Sequence, residues 1–127
     1  MPGLMKEMFV QDFLEARQAE KQIKDAIINN QITKTQAVNL LTTKIDYIRR
    51  DIASMDDNGW KRHKEKLVEL DEKCKKNQNR FKADHEEPND PIEEMNYSEN
   101  LAYEKLKRLS AELNFIQRLG YDKGWLD

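Results

Sequence analysis

Residues 33–55 read TKTQAVNLLTTKIDYIRRDIASM, and this stretch decides the fold. Its apolar residues recur at alternating steps of three and four: Val38, Leu41, Ile45, Ile48, Ile52 and Met55. Because an α-helix has about 3.6 residues per turn, this spacing places one narrow apolar stripe along one side of a helix. A stripe of this kind, kept over the whole stretch, is typical of the seam of a helical bundle or coiled coil.

The same spacing predicts three more helices, over about residues 4–29, 60–81 and 91–119. The third helix has the seam Trp60, His63, Leu67, Leu70, Cys74, Asn77 and Phe81. The fourth helix has the stripe Ile92, Met95, Ala102, Leu106, Leu109, Leu113 and Ile116, with Glu99 as its one charged member. Residues 82–90 are predicted to be a linker between these two helices, because Pro88 and its polar neighbours oppose a helix.

Capping residues indicate where the helices start. Thr33 and Gln36 fit a capping box, in which each side chain satisfies the other residue's backbone N–H. The second helix is therefore expected over residues 33–56. Asp90 before Pro91 fits an N-cap followed by the first helical position.

Asn and Gly residues indicate where the helices end, because both tolerate the left-handed cap conformation. Asn29 and Asn30 are expected to end the first helix, and Asn58 or Gly59 to follow the second. Gly120 is expected to cap the fourth helix. The tail, residues 120–127, is then expected to fold back over an end of the bundle.

The composition favours one all-α domain over residues 1–127. Charged residues make up 36% of the chain and apolar residues 38%, with only 4 Gly and 3 Pro. The first two turns are short, which predicts an antiparallel, up-down-up-down four-helix bundle made of coiled-coil-like hairpins. The alternative is a hairpin of the first three helices with the fourth exchanged between subunits. The seams are narrow, so a homo-oligomer is also expected.

The chain has the features of a soluble cytoplasmic protein without a membrane segment. The first 17 residues carry charges of both signs, so they lack the apolar core of a signal peptide. No apolar run approaches the roughly 18 residues of a spanning helix. The single cysteine, Cys74, excludes an intramolecular disulfide and suits a reducing compartment.

No pattern predicts a catalytic, metal-binding or cofactor-binding residue, so we expect no cofactor and no enzyme. A di-metal bundle needs Glu three residues before His, but Trp60 precedes His63 and Lys82 precedes His85 at that distance. Cys74 has two interpretations. Lysines at 73, 75 and 76 would lower the pKa of an exposed thiol, whereas its seam position favours a small buried apolar side chain.

Charge is unevenly distributed between consecutive segments. Residues 61–82 contain nine Lys or Arg and four Asp or Glu, whereas residues 83–104 contain eight acidic residues and no Lys or Arg. The two segments either neutralise each other across the bundle or form two opposite binding patches. The small size and missing chemistry would also suit a protein encoded by a phage or mobile element.

These features predict a small non-catalytic helical interaction protein, which would be an adaptor, an assembly factor or an inhibitor of a partner protein. The predicted acidic partner-binding residues are Asp84, Glu86, Glu87, Glu93 and Glu94. The predicted tail residues that bind a partner are Tyr121, Trp125 and Leu126. The alternative is a nucleic-acid-binding accessory protein, using Lys61, Arg62, Lys64, Lys66, Lys73, Lys75, Lys76 and Arg80 of the third helix.

Overall fold

The computed structural model describes residues 2–55 and 58–127, and for residues 2–4 it describes the backbone alone. These residues form four α-helices: α1 Pro2–Ile28, α2 Lys34–Ala53, α3 Asn58–Asp84 and α4 Pro91–Asp122. The described helices pack as a helical bundle, so the all-α prediction is confirmed.

Contacts between side chains give the direction of each helix. Arg17 and Glu20 of α1 contact Gln117 and Ser110 of α4, so α1 runs antiparallel to α4. Asp71 and Gln78 of α3 contact Arg108 and Leu101, so α3 also runs antiparallel to α4. Residues 34 and 49 of α2 contact residues 99 and 112 of α4, so these two helices are parallel. The α1–α2 and α3–α4 turns therefore lie at one end of the bundle, which we call the loop end.

The core is centred on α2. Leu41, Ile45, Ile48 and Ile52 are fully buried, in one cluster with apolar residues of α1 and α4. Burying each such side chain stabilises the fold by roughly 1.5–3 kcal/mol. Val38 is only half-buried, and Ala37 is buried instead, because Ala37 lies closer to the centre of the helical stripe.

The predicted caps at the loop end are present. Gln36 donates its backbone N–H to Thr33 Oγ1 at 3.1 Å, and Thr33 donates its own to Gln36 Oε1 at 2.8 Å. Asn30 has a φ of 56°, as expected for a left-handed residue after α1. Asp90 Oδ1 accepts from the backbone of Ile92 at 2.7 Å, which caps α4.

The turn after α2 differs from the prediction. The helix ends at Ala53, and the N–H of Ser54 donates back to the carbonyl of Arg50 in an ordinary helical conformation. Asn58 and Gly59 begin α3 instead, and neither has a positive φ. The predicted left-handed role of these two residues is therefore wrong, while residues 56–57 of the turn lie outside the described part of the chain.

Gly120 is also not the predicted cap, because α4 continues to Asp122. The tail turns back at Gly124, whose φ is 73°, and Trp125 donates its backbone N–H to the Gly120 carbonyl at 2.9 Å. A Cβ on Gly120 would lie 2.6 Å from Leu126 Cγ and 3.1 Å from Phe9. Gly120 therefore allows the close approach of the tail.

Gly120→Ala is expected to lower the free energy of unfolding by about 1–2 kcal/mol, because the added methyl group displaces Leu126 and its packing. Urea denaturation measures this loss. Leu126→Ala supplies the control, since removing the opposing side chain leaves room for the methyl group. If Gly120→Ala costs as much in the Leu126→Ala background as in the wild type, the contact does not explain the glycine.

Candidate functional site

A buried polar cluster joins α2, α3 and α4 around Glu112, whose side chain is 0% exposed. Arg49 donates two hydrogen bonds to this carboxylate, from Nε at 2.8 Å and from Nη2 at 2.6 Å. Arg108 donates a third from Nη1 at 2.6 Å. His63 Nε2 lies 3.0 Å from Oε2, the oxygen that also accepts from Arg49 Nε. Three side chains, one from each of α2, α3 and α4, thus share the negative charge of Glu112.

The charges in this cluster keep Glu112 ionised. Burial alone would raise the pKa of the carboxyl group, but the hydrogen bonds from Arg49 and His63 and the two guanidinium charges lower that pKa to about 2. Facing a carboxylate, His63 Nε2 must be the donor. Its buried Nδ1 has no hydrogen-bond partner among the described residues.

The cluster continues outward through two further carboxylates. Asp46 accepts from Arg49 at 2.8 Å, and Asp71 accepts from Arg108 at 2.6 Å. Both Asp side chains are largely exposed, whereas His63 and Glu112 are fully buried. A substrate would therefore have to displace the packed helices to reach the His–Glu pair. The arrangement suits a structural role that holds three helices together.

Sequence reasoning noted His63 but did not find Glu112 or its two arginines. The available signal was the position of Glu112 three residues after Leu109 and four before Ile116, within the apolar arc of the helix. Arg108 precedes Glu112 by four residues, which is the spacing of an ion pair along a helix. Arg49 belongs to a different helix, so no local pattern links it to the cluster.

A second buried carboxyl group lies where α1 meets α2. Asp51 is 7% exposed, and its Oδ2 has no hydrogen-bond partner among the described residues. Burial, a hydrogen bond with the neighbouring Asp12 and the like charge of Asp12 together raise the pKa of Asp51 to about 7. Asp51 is therefore held partly protonated near neutral pH, at a cost to the folded state.

Cys74 is half-buried between α3 and α4. Burial raises the pKa of its thiol, and so does the negative charge of Glu104, while Arg108 and Lys105 lower it. The net direction is upward, so the thiol form is favoured. The lysines next to Cys74 in sequence therefore do not activate it as a nucleophile.

Within residues 2–55 and 58–127, no group of three or more His, Cys, Asp or Glu side chains could hold a metal ion.

The first turns of α4 project beyond the rest of the bundle at the loop end. Glu99 accepts hydrogen bonds from the backbone of Lys34 at 2.7 Å and of Thr35 at 3.2 Å, so α2 starts level with Glu99. The eight residues before Glu99 extend past it by about 12 Å. Phe81 of α3 packs on Tyr97 with ring centroids 5.2 Å apart. We call this projecting segment, residues 81–98, the α3–α4 tip.

The tip leaves two predicted core residues without cover. Ile92 is 68% exposed and Met95 is 55% exposed, although both continue the stripe that is buried from Ala102 onward. Their predicted burial is therefore wrong. The reason is that the stripe packs on α2 further along α4, and α2 does not reach the tip.

The structure brings the five predicted acidic residues together at the tip. Asp84 ends α3, Glu86 and Glu87 lie in the turn, and Glu93 and Glu94 lie in the first turn of α4. All five are exposed. None of them forms an ion pair within the described parts of the chain, so the basic residues of α3 do not neutralise them by direct contact.

An apolar groove of about 540 Å³ lies between α1 and α4 beside the tip. It is lined by Ile23, Ile27, Ile28, Leu41, Tyr103 and Leu106. Ile28 is 76% exposed there. Lys24, Lys34 and Lys107 also line the groove, and the ammonium groups of Lys34 and Lys107 lie 5.3 and 4.9 Å from the centre of the Tyr103 ring. Glu20 lines the groove as well, where it pairs with Arg17, and Lys107 pairs with Glu104 at 2.9 Å. We call this the loop-end groove, and three lysines and one glutamate make its rim mainly basic.

The predicted basic residues of α3 occupy two sides of the helix. Because a helix advances by about 100° per residue, one side carries five of them, within about 80° of one another: Arg62, Lys66, Lys73, Lys76 and Arg80. The other side carries Lys61, Lys64 and Lys75. Of the eight residues, two form ion pairs in the described structure, Arg62 with Asp122 and Lys66 with Glu69. All eight are at least partly exposed.

The tail residues pack against the bundle end opposite the loop end. Trp125 meets Phe9 edge to face, with ring centroids 5.5 Å apart, and Leu126 packs on the core. The tail thus folds back over this end. Tyr121 remains exposed, and its hydroxyl accepts from Gln117 at 2.7 Å. Of the three predicted tail residues, Tyr121 is the most accessible to a partner.

None of the described helices contains an apolar stretch long enough to cross a membrane. The bundle that carries the polar cluster, the tip and the groove therefore has no membrane-spanning segment among the described residues. No protein-family model matches the chain, and searches of curated proteins and of solved structures found no similar protein.

Proposed function

We propose that this protein is a non-catalytic helical interaction protein of the cytoplasm, which acts as an adaptor, assembly factor or inhibitor by binding another protein. The observation that carries this proposal is the α3–α4 tip, which projects from the bundle and presents exposed carboxylates that form no ion pair with the described residues. Such a surface attracts a partner with a basic patch, because opposite charges accelerate association and favour the correct orientation.

The buried polar side chains also support an interaction function, because their contacts are made inside the bundle. His63, Glu112, Arg49 and Arg108 bind one another inside the bundle, and the pKa of the Cys74 thiol is raised. These are the side chains from which a catalytic site would otherwise be assembled. Their contacts hold helices together, which leaves the exposed surfaces as the candidates for function.

The test is the capture of partner proteins from the native host by the wild-type chain and by an Asp84→Asn, Glu86→Gln, Glu87→Gln variant. We expect the variant to lose the specific partner, with binding reduced by about tenfold or more. The matched control is Glu65→Gln, Glu69→Gln, Glu72→Gln, which removes three exposed carboxylates from the middle of α3.

The proposal is wrong if both variants capture the same proteins as the wild type. The proposal is also wrong if the wild type recovers nucleic acid in place of a protein and a variant of α3 loses that recovery. The variant carries Lys73→Glu, Lys75→Glu and Lys76→Glu. Titration with salt separates the two cases further, because nucleic-acid binding falls steeply as counterions are added.

A further inference from the structure

We propose that the loop end binds a second copy of this chain, with Ile92 and Met95 of one α3–α4 tip seated in the loop-end groove of the other. This inference goes beyond the proposed function, because it uses the apolar side of the tip and the groove. The partner surface proposed above is tested at Asp84, Glu86 and Glu87, which the dimer contact does not use. The two proposals can therefore be tested by different variants.

The apolar side of the tip lacks a helix to pack against. Ile92 and Met95 continue the α4 stripe beyond the point at which α2 begins, which the hydrogen bond from Lys34 to Glu99 fixes. Burial of an exposed Ile or Met side chain is favourable, because it removes apolar surface from water. Residues three apart on a helix form one small apolar face, which is how amphipathic helices anchor in grooves.

The loop-end groove offers a surface of the matching kind. Its lining is mostly apolar, and Ile28 and Tyr103 are left exposed beside it. The groove volume of about 540 Å³ is large enough to hold two aliphatic side chains and to let the helix that carries them come close. The groove also lies between two helices, so a third helix can pack along it with ordinary helix–helix geometry.

The charges of the two surfaces favour a contact between a tip and a groove over contacts between like surfaces. The tip carries Asp90, Glu93 and Glu94 around Ile92. The groove is rimmed by Lys24, Lys34 and Lys107, of which Lys107 also pairs with Glu104, while Glu20 in its lining pairs with Arg17. Two tips would repel each other, and so would two grooves. A tip in a groove brings opposite charges together, so the same residues favour this contact and oppose the alternatives.

The positions along α4 allow both contacts to form in one dimer. Ile92 and Tyr103 are eleven residues apart, so they lie on the same side of the helix and about 16 Å apart along it. When two copies of α4 run antiparallel about a two-fold axis near residue 99, Ile92 and Met95 of one copy lie opposite Leu106 and Tyr103 in the groove of the other. Such a contact is reciprocal and closes at two subunits.

The first test is sedimentation velocity of the purified full chain over a range of concentrations. We expect the wild type to form a dimer and Ile92→Lys, Met95→Lys to weaken dimerisation by about a hundredfold or more, because two lysines enter an apolar groove with a basic rim. The matched control is Val68→Lys, which changes an exposed apolar residue of α3, far from the tip, and should leave the dimer intact. A wild type that stays monomeric at every concentration, or a dimer that survives in the Ile92→Lys, Met95→Lys variant, overturns the proposal.

The second test exchanges the charges. Glu93→Lys, Glu94→Lys should be monomeric alone, and so should Lys24→Glu, Lys107→Glu, since each then has a tip and a groove of like charge. An equal mixture should form a heterodimer, because both of its contacts again join opposite charges. A mixture that remains monomeric while the wild type dimerises excludes the tip-in-groove contact. All four substituted residues are exposed, and circular dichroism checks that each variant is folded.

The proposed function and this inference fail separately. If the chain is monomeric but Asp84→Asn, Glu86→Gln, Glu87→Gln loses a captured partner, the proposed function stands and the dimer is excluded. If that variant dimerises as the wild type does and no partner depends on it, the dimer stands and the proposed partner surface is excluded.

Discussion

Glu112→Gln is expected to lower the free energy of unfolding by about 3–5 kcal/mol, because it removes a buried charge that two arginines share. The glutamine has nearly the same volume, so loss of packing does not contribute. Its NH2 group would face a guanidinium donor, which leaves one hydrogen bond unmade. Urea denaturation at pH 7 measures the difference.

The control for this prediction is Glu69→Gln, which removes an exposed carboxylate paired with Lys66. We expect it to cost less than about 0.5 kcal/mol, since exposed ion pairs contribute little. A cost below about 1 kcal/mol for Glu112→Gln would mean that the arginines find water or other partners equally well. The cluster would then not hold α2 and α4 together.

The same substitution changes the response to acid. The pKa of Glu112 is about 2 in the folded state, below its ordinary value of 4.5. The ionised group therefore stabilises the fold fully above pH 4.5, and this contribution is lost as the pH falls towards 2. The Glu112→Gln variant should lack this part of the acid dependence, so its difference from the wild type should shrink in acid.

Asp51→Asn is expected to have the opposite effect, stabilising the protein by about 1–3 kcal/mol at pH 8. The folded-state pKa of Asp51 is about 7, above its ordinary value of 3.8. Between these values the folded chain holds a proton that the unfolded chain has released, so the stability of the wild type falls as the pH rises from about 4 to 7. The amide stays neutral and avoids this cost.

The measurement is the free energy of unfolding of both proteins at pH 4, 6 and 8. The gain from Asp51→Asn should be largest at pH 8 and nearly absent at pH 4. Asp25→Asn, at an exposed position of α1, is the matched control and should show no such trend. A gain that is equal at all three pH values would show that the amide acts by its hydrogen bonds and not by removing a charge.

The fold was largely predictable because its signals are local. The apolar stripe of α2, the Thr33–Gln36 capping box and the Asp90–Pro91 start each depend on residues within a few positions of one another. The predictions that failed depend on distant residues. Gly120 is explained by Leu126 folding back onto it, and the exposure of Ile92 follows from where α2 begins.

The candidate surfaces were predictable only in part. The acidic residues from Asp84 to Glu94 were identified from composition, and their exposure follows from their place in a turn. The loop-end groove could not be found in this way, because its walls come from α1 and α4, which are separated by most of the chain. The basic rim likewise appears only when Lys24 and Lys107 are brought to one place.

The polar cluster also determines the register of the central helix pair. The α2 stripe repeats aliphatic residues at every turn, as do Leu109, Leu113 and Ile116 of α4, so apolar packing alone would tolerate a slide of one turn, about 5.4 Å. Only one alignment places Arg49 against Glu112. A slid pair would bury the carboxylate among aliphatic side chains, which is costly enough to exclude it. A few polar residues thus make one alignment unique within a core that is otherwise repetitive.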